Sequence, residues 1–432
     1  MRFLHVADLH IGKRMYGVSL AEDQRHILSQ VTRIIREERV DALVIAGDIY
    51  DKAAPSAEAV GLFDAFLQDV ADAGCRVIGI PGNHDSAERV AYAQGLLRRE
   101  GVFFPPVYDG VIEPVVLHDD WGAVNFWPIP FLRPGDVRRH FPEVEIDDDY
   151  SAALHAVVSS CAIDESQRNI AVAHQFVVAA GWAPDRADDE ISLGGLDAVD
   201  MSVFAPFDYV ALGHVHRSQR VGRDTVRYAG SPLKYSFSEA RYGKSALLVD
   251  VGPKDAAGET GSCISWRSIP LVPLHDVREL KGMLLELLAA GMDGVADDAA
   301  SDANAVLSAN VAPDATPAPD DVAPDATASP DDVVPSAYVA PAHEDYLHLT
   351  LTDEHPQLDA MTRVREVYPN ALALDYERRM VAPTGERVSH AADPAKMSLP
   401  DLFARFFQEQ MEKELDDEQQ AMVEGAAREV SA

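Results

Sequence analysis

Five short polar clusters, each set directly behind a β-rich apolar run, restrict this chain more than any bulk property does. In chain order they are Asp8-Leu9-His10, Gly47-Asp48-Ile49-Tyr50-Asp51, Gly82-Asn83-His84-Asp85, Ala173-His174-Gln175 and Gly213-His214-Val215-His216. The runs before them (Arg2 to Ala7, Ala42 to Ala46, Arg76 to Ile80, Asn169 to Ala173, Tyr209 to Leu212) have the length and content of buried strands. Helical patterns lie between the first three. Ile27, Val31, Ile34 and Ile35 recur at helical spacing in Glu22 to Arg39, and Pro55-Ser56-Ala57-Glu58 opens a helix running to about Ala73. Strands alternating with helices, with polar residues after each strand, predict an α/β layer fold whose site lies at the carboxyl ends of its strands. Later strands, from Val111 to Val251, read as shorter and less parallel, with hairpin-like connections. They predict a second sheet packed on the first, with helices on both outer faces.

Each cluster offers oxygen or imidazole ligands, and none offers sulfur. In Asp8-x-His10 and His214-x-His216 the ligands stand two apart, which on extended backbone places both on one face. A single Asn-His-Asp turn is satisfied by its own side chains. Five clusters together supply Asp8, His10, Asp48, Asn83, His174, His214 and His216, enough for two ions with Asp48 shared between them. An Asp, Asn and His set without Cys suits Mn²⁺ or Fe, with Zn²⁺ also compatible. Paired ions about 4 Å apart suit phosphoester hydrolysis, because they bind phosphate oxygens and lower the pKa of a bridging water. His84 is surplus to the ligand count. It is placed to act as general acid for the leaving alkoxide, with Asp51 accepting its other N–H. His5, His26, His118 and His140 are read as core or surface histidines.

The chain has 432 residues, 47% of them hydrophobic, and so holds two or three domains. Three widely spaced cysteines, Cys75, Cys161 and Cys263, speak against a disulfide framework or a thiolate zinc site. No apolar run approaches the roughly 20 residues of a membrane span, and Met1 to Val6 enters a strand-like run in place of a signal peptide. A cytoplasmic protein without membrane contact is expected. A net charge of −34 opposes a simple electrostatic grip on DNA. A nucleic-acid role would therefore need metal ions or a partner to supply positive charge. Part of the acidity is local, since residues 290 to 342 hold ten Asp and no Lys or Arg. There Val311-Ala312-Pro313-Asp314-Ala315-Thr316 recurs at 322 to 327, and 291–342 is expected to be a disordered acidic insertion.

That insertion interrupts a small α+β domain expected over 263–290 and 343–390. Its predicted parts are a strand-like piece from Cys263 to Pro273, a helix from His275 to about Leu288, an alternating strand from Asp345 to Leu351, a helix over about Gln357 to Val367 and a strand near Leu372 to Tyr376. Residues 1–262 form the main domain. At the end, 398–432 reads as helices, with Leu402, Phe403, Phe406, Phe407 and Met411 on one stripe that suits either packing at home or docking on another chain.

The ordered set DxH, GDxxD, GNHD, single His and GHxH resembles the calcineurin-type metallophosphoesterases, over residues 8 to 216. The resemblance implies a four-layer α/β/β/α sandwich with a capping domain. It implies Asp8, His10, Asp48 and His216 around one ion, Asp48, Asn83, His174 and His214 around the other, and His84 as the catalytic histidine supported by Asp51. Ala7 to Gly12, Ala173 to Phe176, Tyr228 to Glu239, Arg278 to Gly282, Tyr346 to Glu354 and Tyr368-Pro369-Asn370 are similar to the bacterial DNA-repair nuclease branch of that family. That branch implies a Mn²⁺-dependent 3′ to 5′ exonuclease and hairpin endonuclease. Helices 55 to 74 and 86 to 100 would form a homodimer within a heterotetramer, and the C-terminal helices would dock on an SMC-type ATPase subunit. Residues 291–342 depart from the resemblance. The alternative is a related phosphodiesterase acting on a small nucleotide, with the same ligands and little use for a cap.

Overall fold

The computed structural model describes residues 1–179, 182–185, 197–254, 263–298 and 344–377, with scattered positions from 400 to 423. Met1–Glu377 forms one compact unit and Arg378–Ala432 a second.

Two six-stranded sheets lie at the centre of the first unit. In the first, Arg2–Val6, Ala42–Ala46, Arg76–Ile80 and Val102–Phe103 run parallel in that order, and Lys244–Val251 joins antiparallel on the other side of Arg2–Val6, followed by Ile264–Leu271. These strands read as unbroken apolar runs because both faces are covered. Successive residues serve different layers. Leu4, Leu43 and Ile45 face the helices Ala21–Glu38 and Ala57–Asp72, while Phe3, Val44 and Ile78 face the second sheet. There Phe126, Ile170, Val172 and Tyr209 meet them, with Phe3 edge-on to both Phe126 and Tyr209 at centroid separations of 5.5 and 5.6 Å. The opposite face of the second sheet packs Trp127, Ala171 and Val210 against the helix Tyr150–Ser160. Helix, sheet, sheet and helix make the four-layer sandwich.

Two differences from the sequence reading concern strand pairing. The centre of the second sheet is parallel: Gly122–Ile129, Arg168–His174, Tyr209–Gly213 and Arg223–Tyr228 follow one another, and only the edge strands Val115–Asp119 and Gln219–Val221 are antiparallel. Lys244–Val251, read among the later strands of that sheet, belongs to the first, and so does Ile264–Leu271, which corrects the placing of 263–273 in the small domain. An apolar run carries no label for its partner, so register and sheet are decided only in three dimensions.

The small α+β part is a parallel sheet of Val277–Gly282, Tyr346–Leu351 and Ala371–Tyr376 with the helices Leu284–Asp298 and Ala360–Val367. Its first strand corrects the helix expected over 275–288. Glu, Leu and Lys favour a helix there, but pairing with Tyr346–Leu351 overrides a propensity difference of under about 1 kcal/mol per residue. The helix that follows reaches Asp298, so the stretch expected to be disordered begins no earlier than 299, and 299–343 lies outside the described residues. The helix expected over 86–100 is three short pieces, Ala87–Val90, Gln94–Leu97 and Arg98–Glu100, because Ala93 turns left-handed at φ 58°. Of the C-terminal stripe only Phe403 and Phe407 are described; Leu402, Phe406 and Met411 lie outside the described residues. Among the described residues no helix is long and apolar enough to cross a membrane.

Candidate metal centre

All five polar clusters meet where the carboxyl ends of both sheets come together. The chain pays for this arrangement in backbone conformation: Asp8, His10, Asp48 and His214 all have positive φ, of 52°, 43°, 48° and 100°. Non-glycine residues take that region at a cost of order 1–3 kcal/mol, and such outliers concentrate at functional sites. Main-chain bonds hold the strained turns, with Asp8 N donating to Gly47 O at 3.1 Å and His10 N to Asp48 O at 2.9 Å. Gly47 and Gly82 are required by contact. A Cβ on Gly47 would stand 2.1 Å from His174 Nδ1, and one on Gly82 would stand 2.2 Å from Asp48 Oδ1.

The donor atoms converge in two overlapping groups. Asp48 Oδ2 lies 3.6 Å from His10 Nε2 and 3.3 Å from His174 Nε2. On one side His10 Nε2 faces His216 Nε2 at 3.1 Å, with Asp8 in the same cluster. On the other, Asn83 Oδ1 is 3.0 Å from both His174 Nε2 and His214 Nδ1. Asp8, His10, Asp48, His174 and His216 are buried, whereas His84 is exposed at the rim. All seven predicted ligands are therefore brought together.

The placement of protons shows that these residues fit cations. His174 Nδ1 lies 2.8 Å from the Ala46 carbonyl, which only accepts, so Nδ1 carries the hydrogen. Its Nε2 lone pair then points at two oxygens, those of Asn83 and Asp48. Something positive must lie between them. Without a metal a proton does this: burial opposes charge on His174, but Asp48 and Asp8 push the imidazole up to about 9. Burial likewise raises the Asp48 carboxyl, yet His174, His10 and His84 hold it well below the carboxylate range. For Asp8 burial prevails over the pull of His174 and His216, and its carboxyl lies above that range. Burial also keeps His10 neutral, well below the ordinary imidazole range. Oxygen and imidazole donors around the ionised Asp48 carboxylate, with a cation in place of the His174 proton, are what Mn²⁺, Fe²⁺ and Zn²⁺ accept.

The structure corrects one detail at the rim. His84 Nδ1 donates to the main-chain carbonyl of Asp51, at 3.1 Å, and not to its carboxylate. The Asp51 carboxylate instead lies 3.3 Å from Lys13 Nζ and 3.9 Å from His10 Nδ1. His5 is a satisfied core histidine, between the Tyr209 hydroxyl and the Leu212 carbonyl at 3.2 Å each.

Two supporting carboxylates had no role assigned from the sequence. Asp85 accepts from the main-chain N–H groups of Ile49, Tyr50 and Gly82, at 3.0, 2.9 and 2.9 Å, and so staples the Asp48 turn to the Asn83 turn. Burial, with Asp48 nearby, pushes its carboxyl up to about 6. Glu239 accepts from His216 Nδ1 at 3.2 Å and leaves the His216 Nε2 lone pair facing the site. A run such as Ser236-Phe237-Ser238-Glu239 carries no ligand spacing; its sole signal is the likeness of Tyr228 to Glu239 to repair nucleases.

The profile of the calcineurin-like phosphoesterase family matches residues 1–218, and that of the type 5 capsule protein repressor C-terminal domain matches residues 329–411. A curated protein, the SbcD subunit of the nuclease SbcCD from Staphylococcus epidermidis, is 28% identical over 393 residues, covering 90% of this chain and 88% of its own. Among solved structures, GAP50, the anchor in the inner membrane complex of Plasmodium, aligns at 12% identity and a TM-score of 0.38, over 62% of this chain and 84% of its own. A dimetal phosphatase from Danio rerio aligns at 13% and 0.35, over 63% and 99%.

Proposed function

This chain belongs to the calcineurin-like phosphoesterase family of metal-dependent hydrolases, and from that premise we propose that it is a nuclease subunit like its staphylococcal relative, and in particular the DNA-cleaving subunit of an ATP-dependent repair complex. The observation that carries the two-ion reading is the position of Asp48 Oδ2 between His10 Nε2 and His174 Nε2. Asp8, His10, Asp48 and His216 would hold one divalent ion, and Asp48, Asn83, His174 and His214 the other, both Mn²⁺. When bound, such ions supply the grip on phosphate oxygens and the activated water. The chain's own part is orientation and proton delivery. Asp85 and the glycine turns fix the ligands, and His84, tethered at Nδ1 by Asp51, gives its proton to the departing alkoxide.

The proposed reactions are 3′ to 5′ exonucleolytic cutting of duplex ends and endonucleolytic opening of hairpins, in the cytoplasm, during repair, recombination and replication. An acidic subunit with net charge −34 needs basic help to hold DNA. An SbcC-like SMC-type ATPase docked on the helices of 398–432 would provide it. Exposed Val60, Tyr92 and Leu96 on the segments 55–74 and 86–100 suit the homodimer contact within the heterotetramer.

Cleavage of a 5′-labelled DNA hairpin by the purified chain with Mn²⁺, with and without the ATPase and ATP, tests the proposal. Cutting that the partner and ATP enhance is expected. No cutting in either case, together with hydrolysis of a small phosphodiester, would turn the assignment to a small-nucleotide phosphodiesterase. Deleting 398–432 is expected to abolish co-purification of the ATPase while sparing hydrolysis of a simple phosphodiester; retained co-purification would refute the docking assignment.

A further inference from the structure

The supports of the two ligand groups have different origins. His174 is braced by the Ala46 carbonyl within the sandwich, and His214 stacks on Phe131 at 6.4 Å with the rings 23° apart. Phe131 N is itself bonded to the Pro81 carbonyl. His216 is braced instead by one segment, Ser231 to Lys244, between the strands Arg223–Tyr228 and Lys244–Val251. That segment also sets the Tyr235 ring against His10, a residue whose backbone is held by Gln24 Nε2 at 2.7 Å and by the Asp48 carbonyl at 2.9 Å. Glu239 accepts from His216 Nδ1. The Lys244 ammonium donates to the His216 carbonyl at 2.9 Å and to Ser231 Oγ at 2.8 Å, and pairs with Glu239. Tyr235 donates its hydroxyl to the Leu9 carbonyl, and its ring stands edge-on to His10 and His216 at 5.5 and 5.9 Å.

The outer edge of the same segment is fastened to the small parallel sheet. Lys234, next to Tyr235, pairs with buried Asp276 at 2.8 Å, one residue ahead of the strand Val277–Gly282. Asp276 N in turn donates to Asp345 Oδ1 at 2.8 Å, beside the strand Tyr346–Leu351. Phe237 lies against His348 of that strand, with centroids 5.1 Å apart. A chain of packed and ion-paired groups thus runs from the small sheet to His10 and His216, and none of these bonds carries it on to Asn83, His174 or His214.

We infer that the small α+β part sets the metal affinity of one position only, that of Asp8, His10, Asp48 and His216, through Lys234, Tyr235 and Glu239 acting as positioning residues. This rests on the two-ion reading above. Outer groups that orient a ligating histidine typically change metal affinity 10- to 100-fold. A loosened strap should therefore weaken one site by about that factor and leave the other alone.

The test is calorimetric titration of the full-length, metal-free protein with Mn²⁺, with electron paramagnetic resonance to count bound ions. The variants are Glu239→Gln, at the inner end, and the double variant Lys234→Met/Asp276→Leu at the outer end, which leaves no buried charge unpaired. Two ions in the wild type, with one dissociation constant raised about 10-fold or more in both variants and the other unchanged, is the expected result. Circular dichroism melts confirm folding, and if Glu239→Gln does not fold, the outer double variant decides. Two wild-type ions with equal weakening at both positions, or at neither, overturns the inference alone. A wild type that takes up a single Mn²⁺ overturns the two-ion reading and the inference with it.

Discussion

Asp48→Asn is expected to abolish tight Mn²⁺ binding and to lower DNA cleavage by about 10⁴-fold, while the protein stays folded. The size follows from position. Asp48 Oδ2 lies within 3.6 Å of both His10 Nε2 and His174 Nε2, so its loss strikes both ligand groups at once. Several kcal/mol of transition-state stabilisation depend on the ions, and each 1.36 kcal/mol is tenfold in rate. The fold survives because asparagine keeps an oxygen to accept from His84 N, now bonded to Asp48 Oδ1 at 2.9 Å, and its amide can donate to the imidazole lone pairs. A pH signature separates this from general damage. In the metal-free protein His174 lies at about 9, above the ordinary 6.5 of an unfolded histidine. A raised histidine pKa stabilises fully below 6.5, and that contribution is lost as pH climbs through 9. Metal-free wild type should therefore melt at progressively lower temperature from about pH 6.5 to 9, and Asp48→Asn should flatten that slope. Since Mn²⁺ must displace the same proton, wild-type affinity should rise over that window. Undiminished Mn²⁺ uptake by Asp48→Asn would remove the residue from the metal centre.

The proposed ligands are legible in the sequence and their supports are not, for a physical reason. Metal chemistry restricts residue type sharply, and strand ends restrict position, so Asp8, His10, Asp48, Asn83, His174, His214 and His216 stand out from residue type and spacing alone. The fold gathers all seven. Glu239 orients His216 through one hydrogen bond and Asp85 ties the Asp48 and Asn83 turns together through three; any carboxylate in the right place could make them, and the right place is set by a fold, not by spacing. Asp51 shows the opposite case, in which the residue is located but the acting atom is its carbonyl, a group every residue carries. Strand existence is similarly readable from β-branched apolar runs, while partner choice is not. Lys244–Val251 pairs with Arg2–Val6 across some 240 residues, and Val277–Gly282 takes its strand form only from Tyr346–Leu351, beyond the acidic segment.

His84→Ala is expected to lower cleavage of DNA by 10²- to 10⁴-fold, the usual contribution of a positioned general acid, with Mn²⁺ affinity and melting temperature unchanged. His84 is exposed, so removing its ring opens no cavity in the core. Its Nδ1 is committed to the Asp51 carbonyl, which leaves Nε2 to face outward chemistry, and the ring stands edge-on to His10 at 4.9 Å. One of its nitrogens lies within 4.8 Å of donor atoms of His10 and Asp48, close enough that the residue must be tested as a ligand too. The leaving group distinguishes the roles. A deoxyribose alkoxide is a poor leaving group and needs a proton as the P–O bond breaks, whereas an aryl oxide of low pKa leaves without one. If His84 is the acid, the variant's deficit should shrink to a few-fold on an aryl phosphodiester with a good leaving group. If it is a ligand, both substrates should suffer equally and Mn²⁺ affinity should fall. Equal loss on both substrates with weakened Mn²⁺ binding would therefore move His84 from proton donor to the metal shell, and the alkoxide's proton would have to come from elsewhere in the site.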